Sequence, residues 1–311
     1  MALDTETKRW MRKLLGDGIR FNETMARHTY FRVGGPAEAF ATPGNADQLI
    51  DLVRRCHQRG IPYLVVGDGS NLLVRDGGIP GVVITLTRGL TAIKITHAEP
   101  DQTIIEAMAG ARLSAVCRFA AANGLSGMNF AVGIPGTVGG AIVMNAGTAI
   151  GAMDKVISAV TMLTPDGQLQ TREQNELDFG YRQLRWADPV HRPLILSGRF
   201  NLEPGDPEML RDKARRLREK RIQSQPTQLP SAGCFFKNPA PDTAAGRLID
   251  EAGLKGRRCG GAEISPRHAN FIVNTGGATA ADILELMHVV QETVYRMFNI
   301  WLETEVKIVG A

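Results

Sequence analysis

Gly133, Gly136, Gly139 and Gly140 crowd into one short segment that Pro135 stiffens, Ala131-Val132-Gly133-Ile134-Pro135-Gly136-Thr137-Val138-Gly139-Gly140-Ala141, with Met144-Asn145-Ala146-Gly147 just beyond it. Removing side chains there lets backbone approach a bulky planar or diphosphate-bearing ligand closely. A purely structural bend rarely needs so many glycines in so short a span. A second loop, Leu64-Val65-Val66-Gly67-Asp68-Gly69-Ser70-Asn71-Leu72-Leu73-Val74, runs from a strand-like stretch into Gly-x-Gly. It imitates a dinucleotide fingerprint, but Leu72 replaces the third glycine and an apolar strand follows where that motif needs a helix. An anion held there would sit in a nest of backbone N–H groups, with Ser70 and Asn71 as added donors. Taken alone, the loop fits a plain hairpin turn equally well. A third piece, Thr29-Tyr30-Phe31-Arg32-Val33-Gly34-Gly35-Pro36-Ala37, sets an arginine beside another glycine pair. Two or three such loops in one domain point to a long ligand contacted at separate places.

The 311 residues exceed one typical domain, so two or three packed units are expected. Residues 1–20 read as a short amphipathic helix with a polar tail, peripheral to the fold. Ala46–Gln58 and Leu113–Asn123 read as helices. Pro62–Val66, Leu72–Val74, Val82–Leu86, Ile93–Thr96 and Thr103–Ala109 read as strands, from β-branched content and glycine-bearing boundaries. Val156–Leu163 is another strand, and Thr164-Pro165-Asp166-Gly167 has the chemistry of a tight turn into Gln168–Thr171. Pro193–Phe200 follows. Glu203-Pro204-Gly205-Asp206-Pro207 marks the best domain boundary. Beyond it come helix Glu208–Ile222, a helix near Ala244–Ala252, strand Asn270–Val273, long helix Ala280–Phe298 and a terminal strand Trp301–Val309. Strand hairpins mix with helices and no βαβ unit repeats, so the fold class is α+β.

A net charge of +4, from 36 basic and 32 acidic residues, suits an anionic ligand but is too slight to indicate nucleic acid. The basic helix Glu208–Ile222 reads as a solvated face, because no interleaved aromatics offer bases a platform. Cys56, Cys117, Cys234 and Cys259 are scattered, which argues against a disulfide framework or zinc cluster. His28, His57, His97, His191, His268 and His288 show no pairing at ligand spacing, so no metal site is expected. No apolar run suggests a signal peptide or a membrane span, and a cytoplasmic location is the default.

Together, Thr29–Ala37, Val66–Val74 and Gly133–Gly147 resemble the FAD-binding domain of the vanillyl-alcohol-oxidase-like flavoproteins. From about Thr29 to Val309 the chain resembles, more narrowly, the UDP-N-acetylenolpyruvoylglucosamine reductase family. Asp178-Phe179-Gly180-Tyr181-Arg182, Ser231-Ala232-Gly233-Cys234-Phe235-Phe236-Lys237-Asn238-Pro239 and Trp301-Leu302-Glu303-Thr304-Glu305-Val306-Lys307 match its Tyr-Arg motif, proton-donor loop and acidic C-terminal strand. The resemblance implies a catalytic trio of Arg182, Cys234 and Glu305. It implies cofactor contacts from Arg32, Val33, Gly34, Gly67, Gly69, Ser70, Asn71, Leu72, Gly133, Pro135, Gly136, Thr137, Gly139 and Gly140. Tyr181, Lys237 and Asn238 are implied at the sugar nucleotide, although Lys237 also reads as an ordinary surface charge.

The chemistry suits these residue types independently. Reduction of an enolpyruvyl ether builds negative charge beside its carboxylate, where a permanently charged guanidinium such as Arg182 belongs. Glu305 fits a hydrogen-bonding or orienting role. An acid must then protonate carbon. The family more often has serine at the donor position, and a thiol, with an ordinary pKa of about 8.5, is intrinsically the better donor. A small buried cysteine is the bland alternative for Cys234. One branch of the family has a lysine shortly before this loop and an extra loop after the Tyr-Arg motif. Gln223-Ser224-Gln225-Pro226 and the short passage from Arg182 to Pro193 match neither, which implies the more compact branch.

The expected architecture is therefore an N-terminal helical extension over 1–26, then a two-lobed FAD-binding domain of the vanillyl-alcohol-oxidase-like type over 27–202, split near 89. A smaller α+β substrate-binding domain over 203–311 completes it. The expected activity is NADPH-dependent, FAD-mediated reduction of UDP-N-acetylglucosamine enolpyruvate by a monomer with no nucleic-acid or membrane partner. FAD would be non-covalent, since the glycine loops contain neither His nor Cys. The rivals are a flavin oxidase of an alcohol or hydroxy acid, and a non-catalytic nucleotide-sugar-binding protein.

Overall fold

The computed structural model describes residues 3–188 and 192–311, so His191 lies outside the described residues. Seven α-helices form among them: α1 (Thr5–Leu15), α2 (Ala46–Gln58), α3 (Leu113–Ala122), α4 (Val138–Val143), α5 (Pro207–Ser224), α6 (Ala245–Glu251) and α7 (Ala280–Phe298). Their starts follow local side-chain chemistry. Asp4, Asn45, Thr137 and Thr279 each turn a side-chain oxygen toward a free backbone N–H at the start of α1, α2, α4 and α7. None of the described helices is long and apolar enough to cross a membrane.

Packing divides the chain into two compact units. The first holds residues 1–21, 39–67 and 81–219; the second holds 22–38, 68–80 and 220–311. This partition is discontinuous, whereas the linear reading assigns 27–202 to one domain.

The first unit centres on an antiparallel sheet whose strands run in the order Leu169–Glu173, Ile157–Leu163, Leu194–Pro204, Thr103–Met108, Ile93–Ala98, with the short Leu125–Ser126 also pairing with Leu194–Pro204. Thr103–Met108 alternates buried with half-buried positions, as a strand with one face on a core should. Leu169–Glu173 is exposed throughout and Ile93–Ala98 nearly so, and charged or polar residues such as Arg172, Glu173, Lys94 and His97 line these edges. Such edges resist pairing with other chains. A further sheet is ordered Ile19–Thr24, Pro36–Ala41, Ile79–Thr85, Tyr63–Val66, and its last two strands run parallel.

Three features depart from the sequence reading here. Helix α1 is not peripheral: Trp10, Met11 and Leu15 are buried in the same core as Leu49, Leu52 and Ile84. After α1 a single turn, Gly16–Gly18, leads into a strand, Ile19–Thr24, that the sequence does not announce. Within the Gly133–Gly147 segment, Val138–Val143 closes into the short helix α4, because Thr137 caps it and Val138, Ala141 and Ile142 bury their side chains.

In the second unit, Phe31, Leu73, Phe235, Phe236, Ile249 and Ile272 pack with Ile283, Leu286, Val290 and Val294 of α7. The helical spacing of that apolar stripe is what the sequence shows, and core packing is its whole explanation. Beyond the Thr279–Asp282 capping box, α7 has a second cap: the Asp76 carboxylate accepts from Ala280 N and Ala281 N at 2.9 Å each. A three-stranded sheet, Arg258–Cys259, Ala262–Ile264, Ile272–Asn274, lies in this unit. The terminal strand is shorter than expected. Only Lys307–Val309 pairs, running parallel to Leu72–Val74, while residues 301–306 are held by isolated contacts.

Candidate active site

In the first unit, the Tyr-Arg motif forms a two-residue hairpin. Asp178–Gly180 pairs with Gln183–Arg185, and Tyr181 and Arg182 make the turn. Arg182 occupies left-handed backbone at φ +58°, a region a non-glycine residue enters only at some cost in strain. Its Nη1 donates to Gly147 O at 2.8 Å, and its guanidinium lies 5.3 Å from the centre of the exposed Tyr181 ring. Buried Asn145 reaches the same hairpin from the end of the glycine-rich segment. Its Nδ2 donates to Gly180 O at 3.1 Å, and its Oδ1 accepts from Asp154 N at 3.0 Å. Met144-Asn145-Ala146-Gly147 thus serves to pin the arginine hairpin, a role that reading it only as a glycine loop misses.

The glycine loops are crowded on one side by neighbouring atoms. In the first unit, a Cβ on Gly67 would collide with Thr137 Oγ1. Gly133 and Gly136, flanking exposed Pro135, take φ values of +78° and +120°. Thr137 Oγ1 accepts from Gly140 N at 3.4 Å, and Gly139 packs on Ala109. In the second unit, Gly69 at φ +66° lies against the His28 carbonyl, and its own carbonyl accepts from Tyr30 N at 3.1 Å. Gly34 is packed against Val74, Val33 is buried and Arg32 is exposed at φ +56°. Ser70 is half-buried beside Asn71. Each loop therefore consists of main chain with few side chains on it, which lets a bulky planar or diphosphate-bearing group approach the backbone. The residues fit FAD on this ground.

The other two members of the trio lie in the second unit, on segments held together by backbone. Phe236 and Thr304 form an antiparallel bridge, Glu305 N donates to Phe235 O at 2.8 Å, and Lys237 N donates to Glu303 O at 2.9 Å. Both Cys234 and Glu305 are half-buried. Gly233 takes φ +80°, so the turn presenting Cys234 suits glycine. Lys237 Nζ pairs with Glu303 Oε2 at 3.0 Å, and Asn238 Oδ1 accepts from Ala245 N at 3.1 Å, holding the start of α6. Tyr181, the other expected substrate contact, belongs to the first unit.

Three asparagines organise this region; the sequence gives no role to Asn270 or Asn274, and reads Asn71 only as a donor to the cofactor. Buried Asn270 clamps the Cys234 loop: its Nδ2 donates to Phe236 O at 2.8 Å, its Oδ1 accepts from Phe236 N at 2.9 Å, and its carbonyl accepts from Phe235 N at 2.7 Å. Asn274 donates to Phe31 O at 2.9 Å. Asn71 donates to Glu305 O at 3.0 Å. A polar amide between apolar neighbours, as in Ala269-Asn270-Phe271, is the signal that could have found the first.

Histidine 268 supports Asn270, whose N–H donates to His268 Nδ1 at 3.3 Å. Burial holds the imidazole pKa below 6.5; a backbone hydrogen bond opposes this and the Lys255 charge assists. The folded state therefore prefers the neutral ring. Its contribution to stability is present above pH 6.5 and is lost as pH falls below that value toward the folded pKa. Lowering pH from about 7.5 to 5.5 is expected to reduce the melting temperature of the native protein more than that of His268→Gln. Paired thermal melts check this, and equal shifts would remove the assigned role.

None of the four cysteines is in a disulfide. Burial pushes Cys56 and Cys117 thiols up to about 12. Among the described residues, no three His, Cys, Asp or Glu side chains cluster to hold a metal ion.

Residues 37–172 match the family described as FAD binding domain, and residues 225–309 match that described as UDP-N-acetylenolpyruvoylglucosamine reductase, C-terminal domain. The fold is α+β, an FAD-binding domain followed by that C-terminal domain. The chain is 45% identical to a UDP-N-acetylenolpyruvoylglucosamine reductase of Desulfosudis oleivorans over 312 aligned residues, covering 99% of this chain and 100% of that one. It is 47% identical to the reductase of Pelobacter propionicus, over 93% of this chain and 95% of the relative. The crystal structure of the reductase from Thermus caldophilus superposes with a TM-score of 0.77 at 38% identity, covering 92% of this chain and 97% of that one. The chain belongs to the UDP-N-acetylenolpyruvoylglucosamine reductase family, an FAD-dependent oxidoreductase family.

Proposed function

We propose that this protein reduces UDP-N-acetylglucosamine enolpyruvate to UDP-N-acetylmuramate, in peptidoglycan precursor synthesis in the cytoplasm, with NADPH as reductant and FAD held non-covalently. The observation that carries this reading is the pairing of the Cys234 and Glu305 segments through Phe235, Phe236 and Thr304. Bound FAD would supply the redox chemistry, accepting hydride from NADPH and delivering it to the enolpyruvyl methylene carbon. Arg182 would meet the negative charge that develops on the neighbouring carbon and its carboxylate, a task for a fixed and permanently charged group. Cys234 Sγ–H would give its proton to that carbon, leaving a thiolate that regains a proton from solvent. Glu305, when protonated, would donate a hydrogen bond to the developing charge; as a carboxylate it would orient its neighbours. The loops around Gly34, Gly67, Gly69, Gly136 and Gly139 would cradle FAD. Tyr181, Lys237 and Asn238 are proposed at the sugar nucleotide.

The deciding experiment is anaerobic. NADPH should bleach the flavin absorbance, and UDP-N-acetylglucosamine enolpyruvate should restore it with formation of the lactyl ether. Absorbance that stays bleached would overturn the reading.

The strained turn gives a second check. In Arg182→Gly the left-handed backbone relaxes while the hydrogen bond to Gly147 and the contact with the Tyr181 ring are lost, so stability should fall by no more than about 2 kcal/mol. Turnover should fall about a hundredfold or more with the guanidinium gone. Thermal melts and steady-state rates measure the two effects separately. A large loss of stability would make Arg182 a structural residue.

A further inference from the structure

Both backbone groups of Glu305 are held, and by different loops. Its N–H donates to Phe235 O at 2.8 Å, on the segment that carries Cys234. Its C=O accepts from Asn71 Nδ2 at 3.0 Å, on the Gly67–Leu72 loop. Two residues on, Lys307 N donates to Asn71 O at 3.0 Å, where Lys307–Val309 begins its pairing with Leu72–Val74. Residues 301–306 have no regular ladder of their own. The direction in which Glu305 leaves the backbone thus depends on a few individual bonds. With its N–H tied to Phe235 and its C=O tied to Asn71 Nδ2, the tilt of Glu305 about the chain, and with it the Cα–Cβ direction, depends on both bonds.

We infer that Asn71 is a positioning residue for Glu305, tying the direction of that side chain to the conformation of the glycine loop. The inference rests on the reading of Glu305 given under Proposed function. It assigns the Asn71 amide a role other than the anion donor that its place after Gly-Asp-Gly-Ser suggests. A small misplacement of a reacting group is enough to matter: about 1 Å can cost on the order of a hundredfold in rate.

The test uses the FAD-loaded full chain and the variants Asn71→Ala, Asn71→Asp and Glu305→Gln. In Asn71→Asp a carboxylate of the same shape faces the Glu305 carbonyl and cannot donate when ionised, so its effect should exceed that of alanine. FAD affinity, read by flavin fluorescence on titration, should change by no more than about twofold in Asn71→Ala, as for a substitution away from the ligand. Reoxidation of the NADPH-reduced enzyme by saturating enolpyruvyl substrate should slow by about tenfold or more, a loss in kcat rather than in KM. Combined with Glu305→Gln, Asn71→Ala should add almost nothing, because residues acting as one unit are not additive. If Asn71→Ala instead weakens FAD binding and leaves reoxidation fast, Asn71 is a cofactor contact and the inference falls. If Glu305→Gln slows reoxidation and Asn71→Ala adds its full cost to it, the inference alone falls. If Glu305→Gln leaves the rate intact, the catalytic reading of Glu305 fails first and takes this inference with it.

Discussion

Cys234→Ala should bleach normally with NADPH and then stay bleached, reoxidising with the enolpyruvyl substrate about a hundred- to ten-thousandfold more slowly than the native enzyme. The first half of that result follows because hydride transfer between the nicotinamide and the flavin asks no proton of Cys234. The second follows because the product carbon must receive one. Alanine keeps the half-buried site filled and cannot donate. Cys234→Ser should retain substantial activity, since a hydroxyl is the donor that the family more often carries at this position. Stopped-flow absorbance under anaerobic conditions reads both steps in one experiment. Fast reoxidation in the alanine variant would remove Cys234 from the reaction. A dead serine variant that still binds FAD would mean the thiol has a task beyond donating a proton.

Asn270→Ala should destabilise the protein by about 3 kcal/mol, because both the N–H and the C=O of buried Phe236 lose their partners at once. The loss exceeds that of an ordinary hydrogen bond because the stranded groups stay desolvated. It should also reach function. Cys234 lies two residues before Phe236, and the Asn270 carbonyl holds Phe235 N as well. Reoxidation should therefore slow even at temperatures where the variant is fully folded. Urea denaturation gives the stability term, and the half-reaction measured well below the melting temperature gives the kinetic one. A variant that melts earlier yet reacts at the native rate would make Asn270 a stability residue only.

Much of the secondary structure is legible in the chain. Helices Ala46–Gln58 and Ala280–Phe298 and strand Leu72–Val74 occur within the very limits their patterns indicate. Their signals are local: a capping side chain, an apolar stripe, a short apolar run between glycines. The misses share a cause. Val138–Val143 is too short for a helical period to declare itself, and its two adjacent glycines argue against a helix until buried neighbours override them. Residues 301–306 look like a strand by composition, but Leu302 and Val306 are buried by contacts that a ladder does not supply. Helix α1 reads as surface because its many charges mask the few large residues, Trp10, Met11 and Leu15, that reach the core.

The candidates for the chemistry come from the sequence, while the bonds that hold their segments do not. Arg182, Cys234 and Glu305 are proposed from short motifs whose residue types suit the proposed reaction. Nothing local indicates that Asn145 fixes the arginine hairpin, that Asn270 clamps Phe236, or that Asn71 reaches a carbonyl 234 positions further along the chain. Local composition determined many of the elements, the glycine loops and the choice of side chains proposed to react, because backbone preference and side-chain chemistry act within a few residues. Tertiary structure alone decided which backbone groups those asparagines satisfy and how the distant loops are held within each unit. A buried amide takes whichever partner the fold brings to it, and that partner is set by packing rather than by neighbours in sequence.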